Sequence, residues 1–199
     1  MVKIGINGFG RIGRLILRAL LENYKEKIEV IAINDLGSIE ANAHLVKYDS
    51  THGTMPFEIE TSDEGFKILN QSIKVFAERD PINIPWGKLG VDVVLECTGL
   101  FLDKASAEKH IKAGAKKVII SAPAKEVDFT LVQGVNSSEL RREHNIISNG
   151  SCTTNCLAPV AMILEQNFGI EYGYMTTIHS YTGDQKLLDT LHKDLRRAR

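Results

Sequence analysis

Few features of this sequence suit a secreted, membrane-embedded or nucleic-acid-binding protein. Its 199 residues include three cysteines and no Cys-x-x-Cys pair, so we expect neither a disulfide framework nor a metal site. The 24 basic and 25 acidic side chains leave a net charge of -1, whereas nonspecific nucleic-acid binders carry a basic excess. No apolar run approaches the ~18 residues that cross a bilayer. Residues 1–6 follow a strand pattern rather than that of a signal peptide. We therefore expect a cytoplasmic protein that binds neither nucleic acid nor membranes.

Buried-strand patterns alternate with amphipathic helix patterns over residues 1–148. Short β-type runs between turn residues also predict hairpins within 57–85. Such alternation requires crossover connections, and it predicts an α/β fold with a mostly parallel sheet. The strand patterns cover 2–7, 29–34, 91–97, 117–121 and 145–148, and the helix patterns cover 11–24, 40–48 and a helix from the predicted N-cap Asp103 to Gly114.

Residues 149–199 follow a different pattern. A helix is predicted over 153–168, with Pro159 inside it, and alternation over 172–179 predicts a strand that ends at His179. The chain stops within a basic run that has no turn or cap. Because one helix and one strand do not close a core, we interpret 149–199 as the first part of an incomplete α+β catalytic domain.

The segment from Gly8 to Gly13 matches G-x-G-x-x-G between the first strand and the first helix. In this context the first glycine permits a tight turn, Gly10 lets the backbone approach a pyrophosphate, and Gly13 lets the helix pack on the strand. Asp35 ends the second strand, where a carboxylate accepts ribose hydroxyls and repels a 2′-phosphate. The pattern favours a Rossmann-type doubly wound domain that binds NAD rather than NADP, although a glycine-rich turn without a ligand is the alternative.

Cys152 lies at the start of a predicted helix, four residues before Cys156. A helix N-terminus and a neighbouring imidazolium both stabilise a thiolate, and His179 is a candidate for that partner. The alternative is that both cysteines are small buried residues, which is the interpretation we favour for Cys156. Cys97 lies on a buried strand and is predicted to be structural. Four other histidines are predicted to be surface or packing residues: His44, His52, His110 and His144.

Six segments carry a resemblance to a known family: NGFGRIGR at 7–14, AIND at 32–35, YDSTHG at 48–53, SAPA at 121–124, SCTTNC at 151–156 and TIHSYT at 177–182. They resemble phosphorylating glyceraldehyde-3-phosphate dehydrogenases over the full length of this chain. The resemblance implies the glycolytic conversion of glyceraldehyde 3-phosphate to 1,3-bisphosphoglycerate with NAD and inorganic phosphate, in a homotetramer when the protein is full length. The chain corresponds to the first ~60% of a family member, and the 199 residues alone are expected to be inactive.

Residue roles follow from the same resemblance. Cys152 forms a thioester with the substrate, and His179 activates the thiol and accepts the hydroxyl proton. Ser151 and Thr153 resemble ligands of one phosphate, and Thr182 and Arg199 resemble ligands of the other. The resemblance also assigns Arg11 and Ile12 to the pyrophosphate, Asp35 to the ribose, Arg79 to the adenine side and Ser121 to the nicotinamide side.

Two other functions stay open at this point. Erythrose-4-phosphate dehydrogenase shares the cysteine block but differs after the second strand, within residues 121–123 and after His179, and these three differences favour glyceraldehyde 3-phosphate here. The second alternative function is that of a stand-alone dinucleotide-binding module without catalysis. The sequence also departs from the family pattern: Gly150 replaces the usual alanine and is expected to loosen the backbone slightly, and Thr190-Leu191 leaves slight NADP tolerance open.

Overall fold

Parallel strands joined by helices dominate the computed structural model, which describes residues 1–183. The chain divides into two compact units, one of residues 1–162 and one that begins at residue 163. The boundary at 148/149 between the two expected domains stays a prediction. The strands are β1 (Val2–Asn7), β2 (Ile28–Asn34), β3 (Tyr48–Asp49), β4 (Gly53–Thr54), β5 (Ile59–Ser62), β6 (Gly65–Ile68), β7 (Gln71–Phe76), β8 (Val93–Glu96), β9 (Lys117–Ile120), β10 (Phe129–Thr130) and β11 (Ile146–Ser148).

Nine of these strands form one sheet in the order β10-β11-β9-β8-β1-β2-β7-β6-β5. Neighbours are parallel from β10 to β7, whereas β5, β6 and β7 form the antiparallel hairpins expected within 57–85. The order reverses at β1, which has β2 on one side and β8 on the other. In doubly wound sheets this switch point places the ligand crevice outside the carboxyl ends of the strands. The predicted Rossmann-type α/β fold class is confirmed.

Two of the helices begin at a side-chain cap. The Ser38 hydroxyl accepts the N–H of Ala41, and the Asp103 carboxylate accepts the N–H of Ser106, as predicted for Asp103. None of the helices within residues 1–183 is both long enough and apolar enough to cross a bilayer. The helices are α1 (Arg11–Asn23), α2 (Ile39–Lys47), α3 (Trp86–Leu89), α4 (Lys104–Lys112) and α5 (Cys152–Phe168).

The sheet buries apolar side chains in separate clusters because successive residues of a strand point in opposite directions. Ile33 of β2 packs with Ile6 and Leu17, whereas its neighbour Ala32 packs with Trp86 and Val94. This burial fixes the register of β1, β2 and β8, since a slip of one residue would turn each apolar set outward. The carboxyl ends of these three strands are therefore held level at one edge of the sheet.

The strand expected over 172–179 is absent: these residues adopt no regular secondary structure. A strand needs the backbone groups of a neighbour, and no strand within residues 1–183 pairs with this segment. Its side chains are open to solvent, Tyr174 at 98% and Ile178 at 103% of full exposure. Within the described residues, the alternating pattern at 172–179 therefore does not form the strand that it predicted.

Candidate functional site

The glycine-rich turn connects β1 to α1 with almost no free space around two of its glycines. Gly8 has a φ of +87°, and a Cβ there would lie 2.6 Å from the backbone nitrogen of Thr98. A Cβ on Gly13 would lie 2.3 Å from the carbonyl oxygen of Gly8. Gly10 differs, because a Cβ there would meet no atom within 4 Å. Gly8 and Gly13 thus allow strand, turn and helix to pack, while Gly10 keeps the backbone accessible from outside.

The N-terminus of α1 fits a pyrophosphate. Gly10 occupies the N-cap position and forms no side-chain cap, and the first turn contains no acidic residue. The amide groups of Arg11 and Ile12 therefore combine with the positive end of the helix dipole at this point. The Arg11 guanidinium lies 2.9 Å from the Asp49 carboxylate. A pyrophosphate contact by Arg11 is accordingly expected from its backbone rather than from its side chain.

Asp35 follows β2 and braces the same turn. Its Oδ2 accepts the N–H of Phe9 and its Oδ1 accepts the N–H of Gly37, both at 2.9 Å. A carboxylate has about four lone-pair positions, and within the described residues these two amides use two of them. Leu36 next to it is 56% exposed.

The remaining predicted cofactor residues follow two other parallel strands of the sheet, β7 and β9. Arg79 follows β7 and is exposed, next to Glu78, whose N–H and C=O are both held by the Asn34 side chain. Ser121 follows β9, and its N–H donates to the carbonyl oxygen of Glu96 at 3.0 Å. The Ser121 hydroxyl forms a hydrogen bond with the Cys97 thiol. Burial raises the pKa of Cys97 to about 11, so this thiol stays protonated at neutral pH.

Cys152 is the first residue of α5 and is exposed. The Ser151 hydroxyl caps this helix, because it accepts the N–H of Thr154 at 2.9 Å. The Asn155 side chain donates to the carbonyl oxygens of Asn149 and Ser151 at 2.7 and 2.9 Å, which fixes the entry of the chain. Cys152 and its helix cap are thus neighbours, and the helix dipole acts directly on Cys152.

Two expectations for this segment need correction. Cys156 is exposed, as Cys152 is, so the interpretation that it is a small buried residue is wrong within the described residues. Gly150 has a φ of +67°, in the left-handed region. Glycine adopts this conformation without the strain that an alanine would carry, so Gly150 fits the turn rather than loosening it.

His179 and Thr182 belong to the second unit. The Nδ1 of His179 lies 2.6 Å from the carbonyl oxygen of Ser180. A carbonyl only accepts, which assigns a proton to Nδ1 and leaves Nε2 as the basic nitrogen of the neutral ring. The pairing of His179 with Cys152 stays a prediction. Thr153, a predicted phosphate ligand, is half-buried in α5. Arg199 lies outside the described residues.

Sequence reasoning missed a buried polar cluster beneath the glycine-rich turn. It contains Asn7, Asn34 and Glu96, together with His110, which was expected to be an ordinary surface or packing residue. A signal was available, since the first three are each the polar last residue of a mostly apolar strand. Among residues 1–183, no group of three or more metal-ligating side chains lies together.

Doubly wound strand order, an open glycine at a helix N-terminus and an acidic residue after β2 together define a dinucleotide-binding α/β protein. Residues 2–104 match the family described as glyceraldehyde 3-phosphate dehydrogenase, NAD binding domain, and residues 151–199 match the C-terminal domain of the same family. The chain belongs to the glyceraldehyde 3-phosphate dehydrogenase family, which confirms the resemblance found in the sequence. NAD is the cofactor that this edge of the sheet takes.

Several relatives resemble the chain along its whole length. It is 56% identical over 198 residues to the glyceraldehyde-3-phosphate dehydrogenase of Xanthobacter flavus, covering 100% of this chain and 59% of the relative. The protein of the same name from Pseudomonas aeruginosa is 56% identical over 199 residues, covering 100% and 60%. Glyceraldehyde-3-phosphate dehydrogenase 1 of Bacillus cereus is 55% identical over 200 residues, covering 100% and 59%. The chain therefore spans about 60% of the length of these relatives.

Proposed function

We propose that this chain carries the NAD-binding and thiol-bearing parts of a phosphorylating glyceraldehyde-3-phosphate dehydrogenase. The observation that carries the proposal is the exposed Cys152 at the first turn of α5, in a chain whose glycine-rich edge is built for NAD. The reaction oxidises glyceraldehyde 3-phosphate to 1,3-bisphosphoglycerate with inorganic phosphate as the acyl acceptor. Oxidation of an aldehyde through a thioester needs a thiolate, an acid–base group and a hydride acceptor.

Cys152 and His179 divide the bond-making steps. The Nε2 of His179 takes the proton of the Cys152 thiol, and the thiolate attacks the aldehyde carbon. The proton passes from Nε2 to the resulting oxygen, for which the N–H of Cys152 at the start of α5 is a further donor. The Nε2 of His179 accepts the proton of the hemithioacetal hydroxyl as the carbon is oxidised. NAD, when bound, supplies the hydride acceptor. Inorganic phosphate then attacks the acyl carbon, the carbon–sulfur bond breaks, and the Cys152 thiolate is restored.

The phosphate ligands follow from the family pattern. Ser151 and Thr153 hold one phosphate, and Thr182 and Arg199 hold the other. The Ser151 hydroxyl already accepts the N–H of Thr154 and lies 2.8 Å from the Thr154 hydroxyl. When the Thr154 hydroxyl is the donor of this pair, the Ser151 proton can point at a phosphate, so Ser151 acts both as helix cap and as ligand.

The cofactor contacts complete the assignment. The amides of Arg11 and Ile12 bind the pyrophosphate at the Gly8–Gly10–Gly13 turn, and Asp35 binds the adenosine ribose. Arg79 lies on the adenine side and Ser121 on the nicotinamide side. We further propose that the whole protein is a cytoplasmic homotetramer that acts in glycolysis.

Selective alkylation tests the role of Cys152. Brief treatment of the chain with iodoacetamide at mildly acidic pH, followed by peptide mapping, is expected to label Cys152 first, because only this thiol lies at a helix N-terminus. Cys156→Ser is the matched control, since it removes an equally exposed thiol one turn further along and is expected to leave the fast labelling unchanged. Cys152→Ser is expected to abolish it. Equal or faster labelling of Cys156 would show that the nucleophile is wrongly assigned.

A further inference from the structure

The Glu96 carboxylate is buried at the end of β8 and accepts hydrogen bonds from four donors. Its Oε2 accepts from the Asn7 side-chain amide at 2.6 Å and from Nε2 of His110 at 3.0 Å. Its Oε1 accepts the N–H of Thr98 at 2.8 Å and also the Thr98 hydroxyl. The Glu96 and His110 side chains are both 0% exposed. A carboxylate has about four lone-pair positions, so this one is filled from within the chain.

Trp86 fixes the protonation of the histidine. Its Nε1–H, which only donates, points at Nδ1 of His110 at 3.0 Å. Nδ1 must therefore carry the lone pair, and Nε2 carries the proton that goes to Glu96. The ring is neutral in this arrangement, and the negative charge remains on a carboxylate whose partners are all donors.

We use the term NAD edge for the edge of the sheet where β1, β2 and β8 end, together with the glycine-rich turn. The Glu96 carboxylate fixes the positions of two segments at this edge. Thr98, which it holds twice, packs so closely on Gly8 that a Cβ at Gly8 would lie 2.6 Å from the Thr98 nitrogen. On the other side, the Asn7 side-chain oxygen Oδ1 accepts from the Asn34 side-chain amide at 2.7 Å. Asn34 in turn holds the N–H and C=O of Glu78 at 2.7 and 2.8 Å, directly before Arg79. One buried charge thus links the glycine-rich turn to the segment after β7.

We propose that Glu96 is a positioning residue for NAD: through Thr98 and through Asn7–Asn34 it holds the glycine-rich turn and the 78–79 segment in the geometry that binds the dinucleotide. Glutamine cannot replace it, because an amide group would direct its own N–H atoms either at Asn7 and His110 or at Thr98, all of which donate. The inference rests on the NAD site and is independent of the thiol chemistry proposed above.

The test compares Glu96→Gln with Asp128→Asn in the 199-residue chain, by calorimetric titration with NAD and by chemical unfolding. Asp128 is the matched control, because its carboxylate also accepts from three donors, Lys104, Asn145 and Ile146, but lies beside β11. We expect Glu96→Gln to weaken NAD binding at least tenfold in folded protein, and Asp128→Asn to lower stability with the NAD Kd unchanged. Equal effects of the two variants on the Kd, or a Kd within twofold of the original for Glu96→Gln, would overturn the proposal.

Moving the charge provides a second test. Asn7→Asp alone adds a carboxylate where the Asn7 nitrogen lies 2.6 Å from Glu96 Oε2, and it is expected to weaken NAD binding. Combined with Glu96→Gln, it returns a single carboxylate to the cluster, within 3.5 Å of the His110 nitrogen. We expect the double variant to bind NAD more tightly than either single variant, and a double variant that binds no better than Glu96→Gln would contradict the proposal.

Two further results are possible: the Glu96→Gln chain does not fold, or the original chain binds no NAD. If Glu96→Gln does not fold, Thr98→Val replaces it in the comparison, because this change removes one donor to Glu96 while nearly keeping the side-chain shape. We expect Thr98→Val to weaken NAD binding at least threefold and Asp128→Asn to leave the NAD Kd unchanged. A Thr98→Val chain with an unchanged Kd would overturn the proposal. If the original chain binds no NAD, the NAD site itself is wrong and the positioning role falls with it, whatever becomes of Cys152.

Discussion

The NAD edge and helix α5, which carries Cys152, differ within the described residues. They differ in how many of their polar groups have hydrogen-bond partners and in how much of their side-chain surface is buried. At the edge, buried polar atoms of Asn7, Asn34 and Glu96 all have partners, and neither Gly8 nor Gly13 leaves room for a Cβ beside the backbone. Helix α5 has no fully buried residue, and its side chain Phe168 is 83% exposed. The two regions follow each other in sequence but are stabilised to different degrees.

This difference indicates which part of the function the chain can support without further contacts. Hydrogen bonds from buried groups hold the NAD edge in one geometry before a ligand arrives, which lowers the cost of binding. Cys152 has a capped helix start, but the exposed apolar side chains of Leu157, Val160 and Ile163 further along α5 contribute little hydrophobic stabilisation. We therefore expect NAD binding to depend less on further contacts than the chemistry of Cys152 does.

The largest effect is expected from alanine substitutions at two glycines of the turn. Gly13 is needed for packing of the turn, whereas Gly10 leaves the backbone accessible to the ligand. Gly13→Ala puts a Cβ 2.3 Å from the Gly8 carbonyl oxygen, and we expect it to lower the free energy of unfolding by about 1–3 kcal/mol and to abolish NAD binding. Chemical unfolding and NAD titration measure both effects.

Gly10→Ala is the matched control for that change. A Cβ at Gly10 meets no atom within 4 Å, and its φ of -71° suits any residue. We expect stability to change by less than about 0.5 kcal/mol, while NAD affinity falls on the order of tenfold because the methyl group stands where the pyrophosphate approaches. Unchanged NAD affinity in Gly10→Ala would move the pyrophosphate away from this turn.

A smaller effect is expected from Asp35. Replacing it in Asp35→Gly, Leu36→Thr removes the charge that repels a 2′-phosphate, but it also removes the acceptor for the N–H groups of Phe9 and Gly37. We expect NAD affinity to fall, NADP affinity to rise relative to NAD, and stability to drop by about 1–3 kcal/mol. Parallel titrations with the two dinucleotides check the ratio. If the original chain already binds both equally, the carboxylate does not select between them.

The smallest effect concerns the acid stability of the first unit. Burial opposes ionisation of Asp128, but hydrogen bonds from Lys104, Ile146 and Asn145 hold the pKa of Asp128 at about 2, below its ordinary 3.8. A lowered pKa means that the folded state favours the carboxylate, so the stabilisation is present above pH 4 and is lost as the pH falls towards 2. Asp128→Asn is expected to flatten this part of the pH profile of unfolding and to leave Cys152 labelling unchanged. A profile of the same shape in both chains would refute this assignment.

Local patterns made the NAD edge largely predictable. The glycine spacing, the apolar strands and the cap at Asp103 are each set by neighbours in sequence, and the structure confirms them. The Glu96 cluster was missed because its members come from positions 89 and 103 residues apart along the chain. The strand expected over 172–179 was wrong for the opposite reason, since its pattern is local whereas the strand itself requires a distant partner.

The most direct test of this comparison is a single preparation of the 22.1 kDa chain, titrated with NAD by calorimetry and then supplied with glyceraldehyde 3-phosphate and inorganic phosphate while NADH absorbance is followed. We predict saturable binding of NAD to one site and negligible formation of NADH, because buried hydrogen bonds hold the NAD edge in place whereas helix α5, which carries Cys152, has no fully buried residue. Sustained NADH formation, or the absence of NAD binding, would contradict the account.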